Sequence, residues 1–456
     1  MPENCYDFQN EGERLYGWAK FLFPICRSLT GPGVRETFRY LKNLIPELQV
    51  HEVPTGTQAF DWTVPQEWEI REAYIEDESG TRIVDFSHHN LHVVGYSEPV
   101  DKVLNLEDLE PHLHSIPEMP EAIPYVTSFY RQTWGFCLTQ TVRNTFKPGN
   151  YRVRIDSTLK DGFLTYGDVV IRGKTDKEIL FSSYICHPSM GNDQVSGPVA
   201  LAGLARWIKA QKHLYHTIRI VFIPETIGSL VYLSRHLEEM KQKTVAGLVV
   251  ACVGDNRTYS MMESRYGNTV ADRAIHNILR HKLLTYKTYD YLWPNRGSDE
   301  RNYCMPGIDL PVASFFRSKY GTYPEYHTSL DNLDLICPEG FAGTLEVLTH
   351  FIELIEHNKI YLTSTLGEPQ LGRRNLYPTG LGHRTGYGDW ISNLMNILAY
   401  CDGTNDLFDL ADRLKVLALD LIPLIKKLEV AGLITSVHRR LTRKESGNDY
   451  SPDPAL

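Results

Sequence analysis

The stretch EILFSSYICHPSMGNDQVSGPVALAGLA, residues 178–205, decides how the rest of the chain is read. Its first half, Ile179 to Cys186, is an apolar run of strand length. From Ser196 onward, Val, Ala and Leu recur with the period of a helix that has a small-residue face. His187 and Asp193 lie between the halves, on a turn rich in Pro, Gly and Asn. A strand that ends in His and a helix that opens near Asp is how an α/β sheet presents ligands at its carboxyl edge. The short separation lets the turn fold back, so imidazole and carboxylate can converge on one ion. A hydrogen-bonded turn without an ion is the other reading of the same pair.

The surrounding chain carries the same alternation. YRVRIDS (151–157) and GDVVIRG (167–173) precede the stretch as strands. A helix (196–211), the strand TIRIVFIP (217–224), a helix to about 241 and the strand VAGLVVACV (245–253) follow it. A helix at 269–283, a strand near 286–292, the strand LPVASFF (310–316) and a helix from Pro338 to about Glu356 complete the run. Strands alternating with helices predict an α/β fold with a mostly parallel sheet flanked by helices. Upstream, residues 9–48 read as two helices broken at Gly31-Pro32-Gly33, followed by a strand from Leu48. Between about Phe60 and Val126 the texture changes to short alternating segments (EIREAYIED, RIVDF, LHVVGY), an all-β pattern.

The expected organisation is therefore a discontinuous α/β domain, 1–58 and 127–358, with an inserted β subdomain at 59–126. Residues 359–384, rich in Gly, Pro and Arg, read as a linker. In 385–456 three helical segments are followed by a strand and its return, the winged-helix pattern.

Bulk properties narrow the function classes. A chain of 456 residues is long enough for about two or three domains. With a mean hydropathy of −0.30 and no apolar run near membrane-spanning length, no membrane span is expected. A net charge of −9 argues against a nucleic-acid-coating surface. The eight cysteines form no CxxC pair, and the opening residues are polar and acidic, which predicts reduced thiols, no signal peptide and a cytoplasmic setting.

Three more places echo the His187/Asp193 pattern just after a strand. They are Glu225-Thr226-Ile227-Gly228, Gly254-Asp255, and the run from Glu325 to Asp334 that contains His327. Ligands from several strand ends on one sheet edge suit a catalytic metal with an open coordination position and a nearby glutamate as proton acceptor. Glu225 also reads as a carboxylate placed near a helix N-terminus, and Asp331 and Asp334 as caps of the following turn. The cluster His88-His89-Asn90-Leu91-His92 lies in the β insert without an acidic partner and reads as packing.

HPSMGNDQVSG, PETIGS, GSDERNY and YHTSLDNLD together resemble the motifs of M28-type zinc aminopeptidases. More closely, nearly the whole chain is similar to bacterial aminopeptidase-like proteins that combine a peptidase fold, an inserted β domain and a C-terminal winged helix. The resemblance implies that His187, Asp193 and His327 bind metal and that Glu225 is the general base. Thr226 stands where the family has a second metal-binding carboxylate, and Ala251 where it has an aspartate. One zinc ion rather than two is therefore expected, with Asp255 a candidate replacement ligand. Tyr326, Asp255, Asp299, Glu300 and Arg301 are candidates for orienting the metal ligands or contacting the substrate, and Asp299 and Glu300 read equally as solvated turn residues. Arg301, Arg317 and Tyr320 are candidate partners for a substrate carboxylate.

The implied activity is amide or peptide hydrolysis of a small peptide or amide-containing molecule. The alternative is a degraded, metabolite-binding sensor acting through its winged helix. The third helix of that domain, ALDLIPLIKKLEVAGLI, is largely apolar, and Arg439, Arg440, Arg443 and Lys444 make a basic patch on the wing. Protein docking or homo-oligomerisation is expected in preference to DNA binding.

Overall fold

The structure, a computed structural model, describes residues 6–129, 131–211, 214–282, 285–376 and 389–437. It divides into two compact units, Met1–Asp272 with Lys287–Leu348, and Arg273–Tyr286 with Thr349–Leu456.

The first unit is built on an eight-stranded sheet. Its strands in chain order are β1 (Gln49–Pro54), β2 (Phe163–Ile171), β3 (Glu178–Tyr184) and β4 (Thr217–Ile223), then β5 (Thr244–Val250), β6 (Ser260–Met262), β7 (Lys287–Tyr289) and β8 (Val312–Phe316). The spatial order is β1-β2-β4-β3-β5-β8-β6-β7. The central four, β4, β3, β5 and β8, pair in parallel. Every residue of β3, β4 and β8 is buried, as strands covered on both faces must be. The pairing β6–β7 is parallel as well, while β1–β2, β2–β4 and β6–β8 are antiparallel, so the expected mostly parallel sheet carries antiparallel pairings towards its edges. A run of apolar residues reports burial but not strand direction.

Helices α1 (Phe8–Leu22), α2 (Pro32–Leu44), α3 (Ser196–Ala210) and α4 (Ile227–Lys243) belong to this unit. The small face of α3 is explained at Gly197, where an added Cβ would lie 2.2 Å from Ser183 Oγ and 2.6 Å from the Val250 carbonyl oxygen. Beneath the sheet, Arg219 donates to both oxygens of Glu178 at 2.6 and 2.8 Å and to Tyr232 OH at 2.8 Å, all within the protein interior.

A second, four-stranded sheet runs Arg82–Asp85, Glu67–Glu76, Asn150–Lys160, Val100–Asn105, entirely antiparallel. It corrects the sequence reading in one place. Asn150–Lys160, assigned above to the returning main sheet, pairs here, so this sheet extends well past residue 126. Its neighbour β2 begins three residues later in the other sheet. Alternating polarity identifies a face but not the partner strand.

The second unit contains helices Asp389–Tyr400, Leu407–Leu414 and Ala418–Val430 and a three-stranded sheet. The central strand of that sheet is Ile360–Thr363, paired with Asp402–Asp406 and Ile434–Val437. The start of the expected linker is therefore part of the winged helix. Asp406 and Asp409 form a reciprocal capping box at Leu407, which stops the strand and starts the helix. The basic wing residues Arg439, Arg440, Arg443 and Lys444 lie outside the described residues. Among the described residues, no helix is long and apolar enough to cross a membrane.

Candidate metal centre

The parallel pairing of β3 and β4 sets their ends level, with Tyr184 opposite Ile223. His187 follows one strand and Glu225 the other, and this brings His187 Nε2 to 3.7 Å from Glu225 Oε2. After His187 the chain makes one wide helical turn, Gly191–Val195, before entering α3, and Asp193 sits in it. Such π-type turns re-aim side chains that a regular helix would point elsewhere. Gly191 is required here because a Cβ would lie 2.4 Å from the Asn332 carbonyl oxygen. His327 arrives from the loop after β8, whose backbone is clamped by the exit from the β insert: Tyr125 N–H donates to the His327 carbonyl at 2.8 Å.

Donor atoms of His187, Asp193 and His327 all lie within 4.8 Å of one another. His187 and Asp193 are buried at 6% and 2% exposure, whereas Glu225 and His327 open to solvent at 25% and 35%. Asp193 Oδ1 accepts from Tyr184 OH at 2.6 Å. Its Oδ2 lies 3.2 Å from His327 Nε2, yet the two atoms are not aligned as a hydrogen bond and neither has another partner. Two buried, unpartnered donor atoms facing one point, with a second imidazole beside them, fit a divalent cation. Burial pushes His187 down to about 4, so its ring is neutral and its lone pair available. Burial alone would raise Asp193, but His187, His327 and Tyr184 outweigh it and hold the carboxyl below its ordinary range. Burial, and then the charge of Asp299, push Glu225 well up.

Glu225 is held by one oxygen. Ser298 Oγ donates to its Oε1 at 2.6 Å, leaving Oε2 facing His187. Asp299 is turned away from the triad, accepting from Thr226 N and Ser229 Oγ, both at 2.8 Å. Burial raises it to about 6. Glu300 organises its own loop, accepting from Gly297 N and Ser298 N at 2.9 Å and from Tyr320 OH at 3.1 Å. Tyr326 stacks on the His327 ring with centroids 3.9 Å apart. Arg301 Nη2 donates to Thr226 Oγ1 at 2.5 Å.

Asp255 is not brought to the three donors. Its carboxylate is occupied by Ser318 N and Oγ at 2.9 Å, Arg257 N at 2.9 Å and Asn192 Nδ2 at 3.0 Å. The expectation that it could replace a missing ligand is corrected: four bonds already hold it elsewhere. The histidines of the β insert are likewise engaged with backbone, His89 Nδ1 accepting from Leu91 N and His92 Nδ1 meeting the Cys137 carbonyl.

Several residues take part in the site in ways that the sequence does not show. Asp331 accepts from the N–H groups of Asn192 (2.6 Å) and Asp193 (3.0 Å) and from Tyr323 OH (2.9 Å), tying the His327 loop to the turn that carries Asp193. Its position in Thr-Ser-Leu-Asp was the available signal, and it was read as a local cap. Burial, and then Asp193, raise it to about 7. The Tyr125 ring sits 5.2 Å from His187 and 5.0 Å from His327. Buried Arg27 donates from Nε to the His187 carbonyl at 3.0 Å and has no carboxylate partner among the described residues. Ser189, Thr226, Cys252 and His327 all have positive φ, so backbone strain is concentrated around the site.

Asp331→Ala is expected to weaken metal binding by about 10- to 100-fold, the usual cost of losing a partner that orients a ligand. Chelator competition on the folded variant measures this. Unchanged affinity would show that the turn holds Asp193 without it.

Comparison with known proteins follows the same division. The family model described as a domain of unknown function, DUF4910, matches residues 16–358, and a winged helix-turn-helix model matches 359–436. A Clostridium acetobutylicum protein, provisionally named a polysaccharide biosynthesis protein with aminopeptidase-like domain, is 42% identical over 402 residues, or 88% of this chain and 91% of that one. A crystal structure from the same organism, provisionally described as a peptidase, is similar at TM-score 0.88 and 39% identity over 94% of this chain and 97% of that one. A zinc aminopeptidase from Bacillus subtilis is similar in fold, with TM-score 0.55 and 11% identity over 77% of this chain and 95% of that one.

Proposed function

This chain belongs to the DUF4910 family and has the aminopeptidase-like α/β fold with a C-terminal winged helix, and from that premise we propose that it is a zinc-dependent hydrolase of an amide bond in a small substrate. The observation that supports this most directly is the pair of buried, unpartnered donor atoms on Asp193 and His327 beside the neutral imidazole of His187. These three residues would hold the ion, which supplies Lewis acidity towards a carbonyl oxygen and lowers the pKa of water. Glu225 takes the proton of the attacking water on Oε2, the oxygen that Ser298 leaves free, and delivers it to the leaving amine. Tyr125 and Tyr326 pack on the imidazoles and hold their planes.

A peptide is one substrate class. The name of the Clostridium relative, a polysaccharide biosynthesis protein, supports the amide of a modified sugar as another. Protein docking is the role proposed for the winged helix, a reading supported by the balance of Lys426 and Lys427 with Asp420 and Glu429 along its helix Ala418–Val430.

Elemental analysis of protein purified without chelator tests the proposal, with His327→Ala as the control. About one zinc per chain, lost in the variant, is expected from a three-residue site. Two ions per chain would mean that another residue restores a second position. No metal after zinc is added back would favour the sensor reading. That reading is motivated by Thr226, whose hydroxyl is bonded to Arg301, and by Ala251, an apolar residue at 1% exposure.

A further inference from the structure

The residue after the proposed base is strained. Thr226 has φ 65° and ψ −76°, a conformation that strains a β-branched side chain. Its N–H is pinned to Asp299 Oδ1 at 2.8 Å, and its carbonyl accepts from Ser229 Oγ at 2.9 Å. In this conformation the hydroxyl meets Arg301 Nη2 at 2.5 Å, so the guanidinium lies beside Glu225. The charge of Arg301 acts on both Glu225 and Asp299.

What distinguishes Arg301 from Arg257, Arg317 and Arg27 is that it is neither paired with a carboxylate among the described residues nor buried. Arg257 is spent on both oxygens of Glu325, at 2.8 and 2.9 Å. Arg317 is buried, donating to the Thr258 carbonyl and to Asn256 Oδ1. Arg27 is buried against the His187 carbonyl. Tyr320, the other candidate for a substrate carboxylate, is spent on Glu300 and the Asn295 carbonyl. Arg301 is partly exposed, and among the described residues its guanidinium has the Thr226 hydroxyl as hydrogen-bond partner and no ion pair. A guanidinium fixed by one nitrogen, with the others free, presents a planar fork that matches a carboxylate.

We propose that Arg301, oriented by Thr226, receives a carboxylate of the substrate, so that the site selects amides carrying an acidic group close to the scissile bond. This rests on the hydrolase reading above and narrows its substrate class. Arg301 here is a specificity residue, and the proton chemistry stays with Glu225.

N-acetylglycine and N-acetylglycinamide are the smallest matched probes, alike except for the carboxylate. Ligand-observed NMR titration of the full chain, as purified, measures their binding. The wild type is expected to prefer the acid by about tenfold or more, within the range for a charge-assisted hydrogen-bond pair. Arg301→Gln is expected to abolish the preference and Arg301→Lys to keep part of it. Thr226→Ala, which frees the guanidinium without removing it, should reduce the preference and provides the test if Arg301→Gln does not fold. No preference in the wild type, or a preference that survives in Arg301→Gln, would overturn the proposal. Turnover of the same two amides by zinc-loaded protein separates the two ideas. Preference without cleavage would keep the carboxylate subsite and count against the hydrolase. Cleavage of both amides with no binding preference would do the reverse.

Discussion

Glu225→Ala is expected to lower amide turnover by roughly 10²–10⁴-fold, the usual contribution of a positioned proton acceptor, with the metal content unchanged. The split between the two readouts follows from the geometry. The three convergent donors are His187, Asp193 and His327, and Glu225 is not among them. Its Oε1 is engaged by Ser298, and its Oε2 stands 3.7 Å from His187 Nε2, beside the ion's place. Removing it therefore takes away a proton acceptor and leaves the ligand set complete. Steady-state assays with zinc-loaded protein, together with elemental analysis of the same samples, check both halves. Unchanged turnover would end the mechanism. Loss of metal along with turnover would make Glu225 a ligand and leave the base to be found elsewhere.

The largest effect on stability is expected far from the chemistry, at the amino-terminal edge of β3 and β4. Glu178 is 0% exposed and Arg219 is 3% exposed, and they form a two-bond pair at 2.6 and 2.8 Å. Glu178→Ala would leave a buried guanidinium with the Tyr232 hydroxyl, the partly exposed Glu239 at 3.4 Å and Asp168 at 3.9 Å. Breaking a buried pair from one side typically costs about 3–5 kcal/mol, and here the two short bonds to Glu178 are lost while Glu239 and Asp168 stand further off. A fall in the urea midpoint at unchanged slope measures it. The site is formed at the opposite ends of the same strands, so metal content per folded molecule should not change. A loss below about 1 kcal/mol would mean that Glu239, Asp168 and Tyr232 compensate Arg219 fully.

Both predictions draw on features that differ in how far they can be read along the chain. The run around His187 and Asp193 was legible because strand, turn and helix are local, and their signals lie within 28 residues. The same holds for the winged helix, whose helices follow from periodicity and whose capping aspartates stand next to Leu407. Glu225 and His327 were legible as positions after strands, together with the motifs that resemble the aminopeptidases.

Pairing was not legible. Asn150–Lys160 and β2 are adjacent in sequence and alternate alike, yet they join different sheets. Ile360–Thr363 looked like linker because four residues carry too little pattern to announce a central strand. Asp255 looked available because sequence shows a carboxylate but not the four donors that hold it. Asp331, Tyr125 and Arg301 acquire their positions from contacts with segments remote in sequence or from one strained backbone residue.

By itself, then, the sequence determined the alternation of strands and helices, the winged helix, and the donor types placed at strand ends. Tertiary structure alone decided which strands are neighbours, which carboxylates are already satisfied and that Arg301 stands beside Thr226 with no ion pair among the described residues. The physical reason is that periodicity and capping act over a few residues, whereas strand pairing, burial and charge compensation depend on groups that only folding brings within a few ångströms of one another.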